Sequence, residues 1–179
     1  MIKTSKLTFN PPKKYVSDIQ KDIYILFNEL GVEFQRVDCE PAISMEDCLA
    51  IDEALGIKTV KTILLNNQQK TKFYLFVTPG DKRFDCKAFS RALEISRTSF
   101  ANEENFKKYM HAEIGGASPL AIIYDKDLEI NVVLDEDVFN SEFIGLNDCT
   151  TTSYLKIFTS DLLHKILPYT NHNYTVIKM

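Results

Sequence analysis

The chain has no tryptophan, only three histidines and only four cysteines among its 179 residues. No two cysteines show the Cys-x-x-Cys spacing, and the histidines are scattered without the spacing of metal ligands. These absences argue against a structural zinc site and against a disulfide framework. The sequence therefore predicts free thiols, no bound metal and no cofactor.

Long apolar runs and an excess of positive charge are also missing. No stretch approaches the roughly 20 apolar residues that a membrane-spanning helix needs, and residues 1–6 lack the apolar core of a secretory signal. The net charge of −4 at pH 7 argues against a protein that coats nucleic acid, since such binding needs many clustered cations. We expect a cytoplasmic protein that makes no membrane contact.

The length and the 45% hydrophobic content favour one domain over residues 1–179 with a single substantial core. Residues 1–14, which include Pro11 and Pro12, are expected to form an N-terminal arm. Local positive charge occurs at Lys3, Lys6, Lys13 and Lys14 in the arm, and again at Lys82, Arg83, Lys87 and Arg91. Most charge clusters are merely solvated surface.

Helices and strands are predicted to alternate. Helices are expected from the Ser17 cap to Gly31, from Ser44 and Asp47 to Gly56, over 87–93, over 102–111, and from a Ser160 cap over 161–167 to Pro168. Strands are expected over 32–39, over 151–158 and over 174–178, with one hairpin formed by 58–65 and 73–78 and a second by 120–124 and 128–134.

The segment Gly115-Gly116-Ala117-Ser118-Pro119 contains three of the twelve Gly and Pro residues. Adjacent glycines permit positive φ angles and let a ligand approach main-chain N–H groups, while the proline stiffens the loop. A helix end followed by a strand start explains the same residues, and on this segment alone that interpretation is favoured over a binding loop.

Lys61 shifts the balance toward a binding loop. It lies inside the β-branched and apolar run 58–65, where a lysine must extend to solvent, pair with an acid or face a polar cavity. Each of these outcomes places a cation at a defined point, which suits a phosphate or a ribose hydroxyl.

Several motifs in order resemble the YbaK/ProX family. They are Val60-Lys61-Thr62, the run 79–85 with Lys87, the run 99–104, the segment 115–119 and the run 133–136, and the resemblance covers roughly residues 15–179. The family comprises freestanding aminoacyl-tRNA deacylases and the related editing domain inserted in bacterial prolyl-tRNA synthetases. The resemblance implies a compact mixed α/β fold, with a largely antiparallel or barrel-like sheet and packed helices.

The implied activity is hydrolysis in trans of the ester that joins a wrong small amino acid to tRNA, in the manner of a prolyl-tRNA deacylase. The partner is the acceptor end of aminoacyl-tRNA, and a synthetase is a further candidate partner. A tRNA acceptor end needs only a local basic approach, and the two basic patches favour weak, reversible contact with it. Lys61, Gly115 and Gly116 are the expected catalytic residues, with Lys61 positioning the substrate as the matching family lysine does. The expected substrate-binding residues are Thr62, Ala117, Ser118, Pro119, Lys82 and Arg83.

Ser118 is not expected to be a nucleophile. The segment lacks the Gly-x-Ser-x-Gly elbow, and no histidine is placed beside it by the sequence. Its hydroxyl is expected to bond to the loop backbone or to a ligand.

The chain departs from the family where many members carry a His-Pro pair and then Asn-Thr-x-Thr. The histidine position falls at Gly145 and the asparagine position at Cys149. Because that histidine shapes the amino-acid pocket in relatives, the substrate cannot be transferred from them. Two functions therefore stay open: a trans-acting deacylase, and a non-catalytic module of the same fold that binds tRNA or a nucleotide.

Overall fold

A computed structural model describes residues 2–179 of the chain. Helix α1 (Asp18–Leu30) begins where the Ser17 side chain accepts a hydrogen bond from the Gln20 N–H, and it ends at Gly31, which takes a left-handed φ of 62°. Ile23 and Phe27 lie on its buried face. The first predicted helix is confirmed, because the cap, the apolar spacing and the terminal glycine all agree.

The other helices are short. They are α2 (Cys48–Leu55), α3 (Cys86–Ala92), α4 (Glu103–Met110) and α5 (Glu136–Phe139), together with a 3₁₀ helix at Pro119–Tyr124. Near the C-terminus α6 (Thr159–Asp161) continues through the π-helical residues Leu162–Ile166 into α7 (Leu167–Tyr169).

Eight strands form two sheets. The strands are β1 (Phe34–Asp38), β2 (Val60–Asn67), β3 (Phe73–Pro79), β4 (Thr98–Phe100), β5 (Ile130–Asp135), β6 (Phe143–Asn147), β7 (Ser153–Phe158) and β8 (Tyr174–Ile177). One sheet has the order β1-β7-β6 and is antiparallel; the other has the order β4-β2-β3-β5-β8. A parallel bridge between Thr59 and Gly145 connects them. The mixed α/β architecture expected from the sequence is confirmed, including the β2–β3 hairpin.

The second predicted hairpin is wrong. Residues 119–124 form a 3₁₀ helix, and β5 pairs in parallel with β3 and β8. Ser118 accepts a hydrogen bond from the Leu120 N–H, and Pro119 occupies the first turn with a φ already suited to a helix. A short apolar run that is buried all round does not reveal its period, so the sequence pattern could not separate a strand from a helix here.

The predicted boundaries of the C-terminal helix are also wrong. The helix starts at Thr159, so Ser160 lies within it, and it passes Pro168 to end at Tyr169. The π-helical turn changes the hydrogen-bond spacing just before the proline, which lets the chain continue without the missing N–H. Strands β4 and β6 were not predicted at all.

The core lies on both faces of the five-stranded sheet. Along β3, Leu75 and Val77 belong to the large cluster beneath α1 and the C-terminal helix, while Phe76 faces the smaller cluster with Phe89 of α3. A third cluster joins α2 to the three-stranded sheet. β3 is thus covered on both faces, as expected of a continuous apolar strand.

The N-terminal residues follow the free edge of β1. Thr8 and Arg36 exchange backbone hydrogen bonds of 2.9 and 2.8 Å, and a second antiparallel bridge joins Thr4 to Cys39. The segment predicted as an arm therefore lies along the three-stranded sheet and covers its edge. No helix within residues 2–179 is both long and apolar enough to cross a membrane.

Candidate functional site

A cavity of about 230 Å³ lies between the start of β2, the segment before α2, and the glycine loop. It brings together four residues predicted from the sequence: Lys61, Thr62, Gly115 and Ala117. Its other walls come from residues that sequence reasoning missed, namely Ala42, Ile43, Ser44, Met45, Cys48, Val60, Phe106, Asn147 and Tyr154. Four larger depressions, of about 490, 520, 450 and 300 Å³, contain neither Lys61 nor Gly115.

Lys61 extends its half-buried side chain from β2 toward the turn that follows β3. Its Nζ donates hydrogen bonds to the carbonyl oxygen of Lys82 at 2.6 Å and to that of Gly80 at 3.4 Å. Desolvation lowers the pKa of Lys61, and Asp81 opposes that change. An ammonium group has three donors, so one N–H is left to meet a ligand.

Gly80 makes the approach of this turn to β2 feasible. Its N–H donates to the Thr59 carbonyl, and a Cβ at this position would lie 2.5 Å from that same oxygen and against the Met45 methyl. No side chain fits in such a gap. The carbonyl groups that hold Lys61 are therefore carried by a turn that requires glycine.

The glycine loop uses its two glycines differently. Gly115 has a φ of +98°, and a Cβ there would lie 3.2 Å from Ile43 Cα. Gly116 is buried, and its backbone φ lies outside the left-handed region. Its N–H donates to the Glu113 carbonyl at 2.8 Å. The N–H groups of Gly115 and Ala117 meet no hydrogen-bond acceptor within residues 2–179, and both residues line the cavity.

Ser118 and Asn147 hold the loop in place. The buried Ser118 hydroxyl donates to the Asn147 carbonyl at 2.6 Å, and the Asn147 side-chain amide donates to the Ala117 carbonyl at 2.9 Å. As expected, Ser118 serves the loop backbone and has no nucleophile geometry. Neither Ser118 nor Pro119 lines the cavity, and both are buried.

Lys82 and Arg83 lie outside the cavity. Lys82 donates to the buried carboxylate of Asp135 at 3.0 Å and to Asp137 at 2.9 Å. Desolvation lowers the pKa of Lys82, but its hydrogen bonds to the two carboxylates outweigh this and raise it overall. Arg83 is exposed and has no ion pair within the described residues. The prediction that both bind substrate stays a prediction.

The two positions that depart from the family pattern also lie outside the cavity. Gly145 of β6 is itself the partner of Thr59 in the bridge that connects the two sheets. A Cβ on Gly145 would lie 3.2 Å from Thr59 Cα and 3.3 Å from the Lys58 carbonyl oxygen. Cys149 is buried, and burial raises the pKa of its thiol. Asn147, between them in the chain, is the residue of this segment that reaches the cavity.

The chemical groups of the cavity are few. Among residues 2–179 no carboxylate or imidazole lines it, and no cluster of three metal-ligating side chains occurs in that part of the chain. The cavity offers one ammonium group, main-chain N–H donors, the hydroxyls of Ser44, Thr62 and Tyr154, the Asn147 amide and the Cys48 thiol. This set can bind and polarise a carbonyl group, but it supplies no conventional general base.

Residues 39–165 match the family model described as the aminoacyl-tRNA editing domain. The chain belongs to this family.

The chain is also similar to individual proteins. The chain is 22% identical over 162 residues to a protein named prolyl-tRNA editing protein ProX from Acetoanaerobium sticklandii, covering 90% of this chain and 98% of the relative. A solved structure described as a trans-editing enzyme for prolyl-tRNA synthetase superposes with a TM-score of 0.63 at 17% identity, covering 92% of this chain and 99% of the other. The crystal structure of a hypothetical protein gives a TM-score of 0.66 at 16% identity, over 87% and 97% of the two chains.

Proposed function

We propose that the protein is a trans-acting aminoacyl-tRNA deacylase that hydrolyses the ester of a wrong small amino acid on tRNA of the prolyl type. The family match and the relative named as a prolyl-tRNA editing protein support the reaction class. The observation that carries the proposal for this chain is that Lys61 and the unpaired N–H groups of the glycine loop line the same cavity.

In the proposed reaction the aminoacyl group enters the cavity and its ester carbonyl accepts hydrogen bonds from the N–H groups of Gly115 and Ala117. These donors stabilise the oxyanion that forms when water attacks. Lys61 uses its remaining N–H to hold the terminal ribose or its phosphate, which fixes the ester relative to the loop. Gly116 supports the loop and does not touch the substrate, because its N–H is already bonded.

The proton released by the attacking water needs an acceptor. Because no carboxylate or imidazole of the described residues lines the cavity, the chain does not provide it. The substrate carries two suitable groups of its own, the free α-amine of the amino acid and the neighbouring ribose hydroxyl. The protein thus acts by positioning and polarising a substrate that helps its own hydrolysis.

The rest of the tRNA lies outside the cavity, whose volume is below the roughly 300–1,000 Å³ usual for sites that enclose whole drug-sized ligands. Arg83, Lys87 and the lysines of the arm are the proposed phosphate contacts, while Lys82 contributes through its carbonyl to the position of Lys61. The protein acts as one cytoplasmic domain with a synthetase as a proposed neighbour.

The alternative, a non-catalytic binding module, is less well supported. Lys61 is partly desolvated, is held by two carbonyl groups and lies near a loop with unpaired N–H groups. A binding module that had lost hydrolysis would have no need for this arrangement. The deciding experiment is single-turnover deacylation of tRNA carrying proline or a small mischarged amino acid, with the native protein and with Lys61→Ala. Release of the small amino acid that depends on Lys61 is the expected result, and no release above the spontaneous rate by the native protein would support the alternative.

A further inference from the structure

Tyr154 is at the closed end of the cavity. The residues that line the cavity differ in solvent exposure. Ile43 is 68% exposed and lies at the mouth, whereas Cys48 and Tyr154 are each 5% exposed and lie at the floor. Tyr154 extends from β7 toward α2 and belongs to the cluster that joins this helix to the three-stranded sheet. An amino-acid side chain that enters from the mouth ends at this floor.

The hydroxyl of Tyr154 has no good acceptor. Its one hydrogen-bond contact within residues 2–179 is with the Cys48 thiol, which is the donor to the hydroxyl oxygen at 4.0 Å and to the Ser44 carbonyl at 3.6 Å, so the hydroxyl proton itself has no acceptor. Sulfur accepts hydrogen bonds weakly. Asn147, the other buried polar residue of the wall, uses its amide on the Ala117 carbonyl and the Cys149 N–H.

A buried hydroxyl without an acceptor is costly unless a ligand supplies one. Burial raises the pKa of Tyr154 further above its ordinary range, so the group keeps its proton and stays a donor at neutral pH. Three other side chains with oxygen atoms line the cavity, those of Ser44, Thr62 and Asn147, but none of them receives a hydrogen bond from Tyr154 within residues 2–179. The Tyr154 hydroxyl is therefore a donor without an acceptor at the floor of the cavity.

We propose that the Tyr154 hydroxyl determines specificity, by donating a hydrogen bond to the side-chain hydroxyl of a serine-like aminoacyl ester. This inference rests on the proposed deacylase function and adds the chemical class of the amino acid. Alanine, which has the same backbone but no hydroxyl, leaves Tyr154 unpaired. The proline ring likewise offers no acceptor, so correctly charged prolyl-tRNA is disfavoured by the same group.

The test compares tRNA of the prolyl type carrying serine, alanine or proline, in single turnover with saturating native protein and with Tyr154→Phe. Sites that pair a substrate hydroxyl discriminate against its absence by factors of about 100 or more. We therefore expect the native protein to deacylate the seryl ester at least about 100-fold faster than the alanyl ester, and the variant to bring the two rates within about threefold. Tyr169→Phe, at an exposed tyrosine outside the cavity, is the matched control and should keep the native ratio.

Two results would overturn the inference. Equal rates for seryl and alanyl esters with the native protein would show that the hydroxyl does not select, and this holds whether or not the variant folds. An equal loss for both esters in a folded Tyr154→Phe variant would show that Tyr154 binds a part that all substrates share.

A binding measurement separates this inference from the proposed function. Seryl and alanyl amides of 3′-amino-3′-deoxyadenosine cannot be hydrolysed as esters, and their affinities are measured by calorimetry with the native protein and the variant. A serine preference that Tyr154→Phe removes would uphold the inference even if no ester is hydrolysed, in which case only the deacylase proposal fails. Equal affinities with the native protein would contradict it.

Discussion

Replacing Lys61 by alanine is expected to remove most deacylation while leaving the fold intact. The side chain lies half-buried at the cavity, and in the proposed reaction it positions the substrate with the N–H that its two carbonyl bonds leave free. Removing one such preorganised donor costs about 2–4 kcal/mol of transition-state stabilisation, and each 1.36 kcal/mol is a factor of ten. The expected loss is thus roughly 30- to 1,000-fold in the single-turnover rate.

The stability cost should be much smaller. The two carbonyl acceptors are on the buried Gly80 and the half-buried Lys82, and a typical hydrogen bond contributes about 0.5–1.5 kcal/mol, so we expect a loss of this order in the free energy of unfolding. Chemical denaturation of both proteins measures it. Lys58→Met is the matched control, because Lys58 is exposed, pairs only with Asp81 and does not line the cavity. Its rate should stay within about twofold, as is usual when a surface ion pair is lost.

The pH dependence gives an independent check of the charge on Lys61. Because desolvation lowers its pKa, the amine loses its proton at a lower pH than an ordinary lysine, whose pKa is about 10.4. Positioning by the charged amine is complete below that lowered pKa and is lost as the pH rises through it. Lys61→Arg, which stays charged, should move the alkaline fall in enzyme-dependent rate to higher pH. If Lys61→Ala kept the single-turnover rate of the native protein and the same fall in rate at alkaline pH, the reasoning would be refuted.

Three further predictions concern the loop, the RNA contact and the turn. Gly115→Val should lower the deacylation rate by roughly 100-fold, as expected for a misplacement of about 1 Å, with a smaller change in melting temperature; equal melting and activity losses would contradict it. In a plot of the logarithm of the tRNA association constant against the logarithm of the salt concentration, the slope should be only about −0.7 to −0.9 for each neutralised phosphate. Reversing the charges of Arg83 and Lys87 should weaken binding without changing the deacylation rate of bound substrate. An affinity that does not depend on salt would contradict this expectation. Gly80→Ala should destabilise by about 1–3 kcal/mol, since its Cβ would lie 2.5 Å from the Thr59 oxygen; a native unfolding midpoint would show that the turn relaxes freely.

Local signals were enough to predict the elements whose ends are set by caps and glycines. α1 is bounded by Ser17 and Gly31, and α2 ends at Gly56, as the sequence indicated. The pairing of β5 was beyond such reasoning, because a parallel partner is set by contacts distant in the chain and leaves no turn signal. Strand β6 was missed for a similar reason, since its small and polar residues Gly145 and Asn147 interrupt the usual pattern.

The site was predictable where a residue type conflicts with its surroundings. Lys61 within an apolar strand and two adjacent glycines are such conflicts, and the structure places Lys61 and Gly115 on one cavity. Tyr154 and Cys48 gave no signal, because a buried tyrosine in a strand and a buried cysteine in a helix are ordinary core residues until the cavity between them is known. Lys82 looked like part of a basic patch, and only the fold brings Asp135 and Asp137 to its amine.

The packing of Gly145 limits how this pocket can change during evolution or design. The nearest atoms to a side chain there are Thr59 Cα at 3.2 Å, and Ile57 Cγ2 and the Lys58 carbonyl oxygen at 3.3 Å, at the junction of the two sheets. The two main-chain atoms cannot turn aside as the Ile57 side chain can. Transplanting a histidine to this position from relatives would require the start of β2 to retreat, and Lys61 would move with it. Selectivity in this lineage is therefore expected to diversify through the α2 side of the cavity, where side chains can be exchanged without displacing the lysine.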